Sequence, residues 1–151
     1  MCRTGKGVAI VALSITMAAC PKNGYLMRVE ARRVGQFDGE VMAALESQAL
    51  LDGFELYGSR MTYIDSGSVI SLFTKKMPTV RGSMEISVAW NAEPPDNPSV
   101  VVGVRDPKHG NDNGRRKQVE DIARQFQIIL VRIYGAAKVL VDDTRFSDWI
   151  F

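Results

Sequence analysis

The chain has 151 residues, a net charge of +2, two cysteines, one histidine and 46% hydrophobic residues. That is enough apolar material for one domain with a core, and it excludes a disordered chain and a disulfide-rich scaffold. Arg3 and Lys6 lie in residues 1–19, which hold no acid, whereas from residue 20 onward 17 basic residues meet 17 acidic ones. A basic stub ahead of a neutral body is the pattern of an address segment, and it gives no footprint for nucleic acid.

The first six residues, MCRTGK, are followed by thirteen uncharged ones, Gly7 to Ala19, reading GVAIVALSITMAA. A helix that crosses a bilayer needs about 20 apolar residues. The shorter run fits the hydrophobic region of a secretory signal, about 7–15 residues long. It leads directly into Met17-Ala18-Ala19-Cys20. This stretch resembles the lipobox of bacterial lipoproteins, where an aliphatic residue and two small ones precede a cysteine; Met17 stands where that family usually has leucine. The resemblance covers residues 1–20 only. It implies removal of a signal peptide over 1–19, acylation of Cys20, and attachment to a membrane through those acyl chains. Cys2 would leave with the signal. Pro21 is not the aspartate that commonly marks inner-membrane retention, so the resemblance implies the periplasmic side of the outer membrane rather than the inner. Residues 20–24 are then the lipidated cysteine and a tether that spans no more than about 14 Å, and residues 25–151 are a single domain.

Within that domain Tyr25–Val34 alternates apolar and charged residues and predicts a strand. Asp38 suits the N-cap of a helix over 38–52, with Phe37 and Met42 in staple positions. Val41, Ala44, Leu45, Ala49 and Leu51 supply its apolar face, and Gly53 follows its end. Phe54–Ile64 and Val69–Lys76 flank the turn residues Asp65-Ser66-Gly67-Ser68, as in a hairpin. Ser83–Asn91 puts Met84, Ile86, Val88 and Trp90 on one face of a half-buried strand, and Pro94, Pro95 and Pro98 mark the loop after it. Ser99–Arg105 is apolar on both faces and belongs inside a sheet. Val119, Ile122, Ala123, Phe126, Ile129, Leu130 and Ile133 keep helical spacing between a cap at Asp112 or Asn113 and Gly135. Ala137–Val141 makes a last short strand. The order β-α-β-β-β-β-α-β predicts an α+β fold: a mainly antiparallel sheet of five or six strands with two helices on one face. It is similar to the element order of small lipoproteins that assist lipopolysaccharide assembly or transport.

The residues that could carry chemistry are few. His109 is the sole histidine and sits in a polar loop, and there is no Gly-x-Ser-x-Gly elbow, so a Ser-His-Asp hydrolase is a poor expectation. Asp106, His109 and Asp112 share that loop, but Lys108, Arg115, Arg116 and Lys117 crowd the same place and oppose a cation. Asp142 and Asp143 are adjacent, and neighbouring strand residues point apart. No nucleotide, zinc or other cofactor motif is present, and neither a catalytic nor a metal site is expected. Two patches remain. Arg105, Lys108, Arg115, Arg116 and Lys117 form a basic cluster for an anionic ligand or partner, although the first turn of a helix disfavours positive charge. Phe146, Trp149, Ile150 and Phe151 either cover the edge of the core or dock a partner or a bilayer interface.

These features point to a non-enzymatic, lipid-anchored envelope protein facing the periplasm, with a binding or accessory role in an envelope assembly or transport complex. Its partners would be the membrane, through Cys20, and an envelope protein. The alternative is a periplasmic module that binds a small or anionic ligand in a pocket between sheet and helices.

Overall fold

Alternating residues in the first strand build a sheet that is apolar on one face. A computed structural model describes residues 23–63, 67–76 and 83–146. The segment 1–19 expected as a signal, Cys20, Pro21, Asp65, Ser66, Trp149, Ile150 and Phe151 lie outside the described residues. In chain order the elements are β1 (Gly24–Arg32), α1 (Gly39–Leu51), β2 (Glu55–Leu56), β3 (Met61–Tyr63), β4 (Ser68–Lys76), β5 (Ser83–Asn91), β6 (Ser99–Asp106), α2 (Asn113–Tyr134) and β7 (Val139–Phe146). Every pairing is antiparallel, in the order β2-β4-β5-β6-β1-β7, with β3 also on β4. This is the expected α+β fold, with seven strands rather than five or six.

The register sorts side chains into two faces. Tyr25, Met27, Val29 and Ala31 of β1 stand opposite Asp106, Val104, Val102 and Val100 of β6, and those valines continue onto Ile86, Val88 and Trp90 of β5. This face lies under both helices. Met42 and Leu45 from α1, with Val119, Phe126 and Leu130 from α2, close over it with no exposed surface. A core of this kind is held chiefly by removal of apolar area from water, worth about 25 cal/mol for each Å².

Both helix starts follow from their caps. Asp38 accepts hydrogen bonds from the backbone N–H groups of Glu40 (2.8 Å) and Val41 (3.3 Å). Asp112, not Asn113, caps α2 by accepting from the Arg115 N–H at 3.0 Å. The Phe37 ring meets Trp90 edge-on, 5.2 Å between centroids, and so fastens the start of α1 to the sheet. The buried stripe of α1 runs through Val41, Met42, Leu45 and Ala49, while Ala44 is exposed and Leu51 is 81% exposed. Ile133 of α2 is likewise exposed.

Two elements differ from expectation. The run Phe54–Ile64 is broken into β2 and β3 at Gly58, whose φ of 76° turns the chain into the left-handed region. Arg60, in the break, forms an ion pair with Glu46 of α1, and Glu46 also accepts a 2.6 Å hydrogen bond from Ser71. The last strand begins later and runs further than Ala137–Val141. Ala136–Lys138 form a 3-10 turn, and β7 then pairs with β1 as far as Phe146 opposite Gly24.

Phe126→Ala should lower unfolding free energy by about 3–5 kcal/mol, read from urea denaturation. Ile133→Ala, at an exposed position, should shift it by no more than about 0.5 kcal/mol.

Candidate functional site

Polar and charged groups gather where the chain enters β1. Asp106, the last residue of β6, is 1% exposed. Its Oδ1 accepts from the backbone N–H groups of Lys108 (3.1 Å) and His109 (2.9 Å), with the His109 Nδ1 also at 3.1 Å. Its Oδ2 accepts from Arg115 Nε at 2.7 Å and faces Arg115 Nη2 at 2.6 Å. The turn this carboxylate organises brings Gly110 onto the backbone of Asn23 and Gly24, where its N–H donates to the Asn23 carbonyl. A Cβ at Gly110 would lie 2.7 Å from the Gly24 carbonyl carbon, so only glycine permits this approach. Asn111 adds a 3.3 Å hydrogen bond to the Asn23 side chain.

The electrostatics follow from these contacts. Burial raises the Asp106 pKa, but the two backbone donors and the Arg115 guanidinium more than offset it, leaving the carboxyl below its ordinary value of 3.8. The Tyr25 hydroxyl donates to Glu120 at 3.0 Å, with Asp143 at 3.4 Å. Burial and then Glu120 push that hydroxyl above its ordinary value of 10.0. Near neutral pH Tyr25 is therefore a hydrogen-bond donor and not a base. Arg116 stacks over its ring at 4.8 Å.

The basic cluster expected from the sequence is not one patch. Arg115 is buried on Asp106, and Arg116 lies against Tyr25. Lys117 points outward with Asp121 at 3.2 Å. Lys108 is exposed in the turn. Arg105 alternates with Asp106 along β6 and so belongs to the opposite face of the sheet, paired there with Glu85. The unfavourable placement of Arg115 at the start of α2 is explained by its buried partner. Among the described residues no three His, Cys, Asp or Glu side chains converge as a metal site would need. Asp106 is committed to Arg115, and Asp112 to its cap. Asp142 and Asp143 do point to opposite faces, with Asp143 toward Tyr25.

Two of the concavities among the described residues bear on binding. A cleft of about 500 Å³ between the helices is lined by Gln48, Asp52, Lys75, Lys117 and Asp121. Its two bases face two acids, and both are engaged: Lys75 donates to the Asp52 carbonyl at 2.7 Å, and Lys117 pairs with Asp121. The larger one, about 660 Å³, lies on the helix-free face between Leu26, Tyr57, Leu72, Ser87 and the Arg105–Glu85 pair. Ser87 and Leu26 close over Gly103 beside it; a Cβ there would meet Ser87 Oγ at 2.8 Å. The β3 flank of the same face exposes Met61 and Tyr63. Sequence reading missed this face because its lining is scattered along the chain from Leu26 through Tyr57, Leu72 and Ser87 to Arg105, and only strand pairing gathers it.

Arg115→Ala should cost about 3–5 kcal/mol, because it leaves a buried carboxylate unpaired. The folded-state pKa of Asp106 is depressed, so its contribution is fully present above 3.8 and is lost as the pH falls from there through the folded-state value. Asp106→Asn should therefore flatten the acid limb of a stability-against-pH curve, followed by circular dichroism. Comparison of the chain with protein-family models gives no match, and comparison with curated proteins gives none.

Proposed function

We propose that this chain is a lipid-anchored lipoprotein of a bacterial envelope, held through Cys20 on the periplasmic side, with a non-enzymatic binding or accessory role in an envelope assembly or transport complex. The observation that carries this reading is the order of segments: a basic stub, thirteen uncharged residues, Ala18-Ala19-Cys20, and then β1 from Gly24. The clamp of Gly110 and Asn111 on Asn23 and Gly24 supports it, since it fixes the first described residues to the body. A chain fastened there keeps its domain within about 14 Å of whatever holds Cys20. The outer membrane is the proposed location, on the strength of Pro21 in place of a retention aspartate.

The surface offered for binding is the apolar flank of the helix-free face, where Tyr57, Met61 and Tyr63 are 69%, 40% and 49% exposed. Monomeric proteins seldom leave apolar side chains grouped in this way without a partner. The balanced charges of the interhelical cleft do not favour an anionic ligand there, so the ligand-binding alternative ranks second.

Replacement of Cys20 by alanine should abolish incorporation of a labelled fatty acid and release the protein from the membrane fraction. Labelling that persists overturns the anchor. Affinity purification from detergent-solubilised membranes should recover a stoichiometric partner that Tyr63→Asp loses, and recovery of none overturns the complex.

A further inference from the structure

We propose that β7 is a dimerisation edge: a second copy of this chain pairs antiparallel with its outer side, about a two-fold axis that passes between the two Thr144 residues. This inference does not rest on the lipid anchor; it uses the sheet order, the register and the order of charges in one strand.

The two edges of the sheet are built differently. A strand edge presents a row of free N–H and C=O groups that recruits another strand unless it is short, bent or covered. On one side the sheet ends in β2 and β3, two and three residues long and parted by the turn at Gly58. β7 ends the other side. It holds eight residues in unbroken register with β1, contains no proline, and no described residue pairs with its outer side. Leu140 and Val141 are 46% and 39% exposed, one on each face. α2 lies across β1 and β6 and leaves room for another strand. Pairing at the edge sets the two α2 helices about four strand spacings, roughly 19 Å, apart, well beyond the roughly 8–10 Å of helices in contact.

The charges of β7 select both the partner and the register. Asp143 and Arg145 lie on the helix face, Asp142 and Thr144 on the other. Residues directly opposite in an antiparallel pair share a face, and like charges there are destabilising. Two copies centred on Asp142, on Asp143 or on Arg145 would set that residue against its own copy. Centred on Thr144, they set Asp143 of each copy against Arg145 of the other, with Thr144 against Thr144. Opposite charges and threonine pairs both stabilise such a ladder. Charges that usually guard an edge therefore admit one register here and refuse its neighbours. Asp143 and Arg145 are available for it. Each makes a 3.4 Å hydrogen bond, to Tyr25 and Asn111, and among the described residues neither is in an ion pair. The contact uses the same patch on both copies, so it closes at two. The flank around Met61 and Tyr63 lies at the opposite end of each sheet and stays open to a partner.

The test is sedimentation equilibrium of the full chain carrying Cys2→Ala and Cys20→Ala, which removes both thiols and the acylation site. A monomer–dimer equilibrium is expected. Asp143→Arg should weaken it by about tenfold or more, since it sets Arg against Arg twice. Adding Arg145→Asp to that variant should restore it. A chain that is monomeric throughout, a dimer indifferent to Asp143→Arg, or a double variant that stays monomeric although folded overturns the proposal. Should the double variant fail to fold, cross-linking decides. Thr144→Cys in the same background should join two copies through a short bismaleimide. Leu140→Cys should not, because in this register the two copies of residue 140 lie about 27 Å apart. Joining at position 140, none at position 144, or capture at position 144 of a different protein alone overturns the proposal as well.

Discussion

Strand β1 is hydrogen-bonded along both edges, to β6 on one side and β7 on the other, in two ladders of eight residue pairs each. Its partners, β6 and β7, lie far from it in sequence, so both ladders are non-local. Closing so long a loop costs entropy that grows slowly with length, and non-local pairing of this kind folds slowly. The return is a strand with no free edge whose inward side chains, Val29 and Ala31, are fully buried. α2 packs across β1 and β6, and so depends on this insertion for the surface it covers.

Much of that arrangement was legible in the residues. Met84, Ile86, Val88 and Trp90 alternate without interruption, and β5 follows them. The apolar run in β6 announces a strand with neighbours on both sides, and its place between β5 and β1 gives it them. What stayed hidden has a physical reason in each case. β7 carries Asp142, Asp143, Thr144 and Arg145 and lies at an edge, where exposed side chains leave no hydrophobic period to follow. The break at Gly58 comes with an ion pair between Arg60 and Glu46, fourteen positions apart in sequence, which no local pattern announces.

The site was less legible than the fold. Sequence proximity grouped Arg105, Lys108, Arg115, Arg116 and Lys117, but strand alternation and helix rotation sent them in different directions. Charge counted along a chain does not add up to a patch when one guanidinium is buried on a carboxylate and another is stacked on a phenol ring. The groove of the helix-free face has the opposite character. Its lining residues are far apart in sequence, from Leu26 to Arg105, and strand pairing brings them to one face.

The two ladders that flank β1 also set how the domain bears load. Backbone hydrogen bonds in an antiparallel sheet run perpendicular to the strands. A pull along β1 from its Gly24 end therefore shears both ladders together instead of unzipping one bond after another. Such a force is shared across the rungs on either side of a single strand, and the fold is braced in the direction of its own first residues.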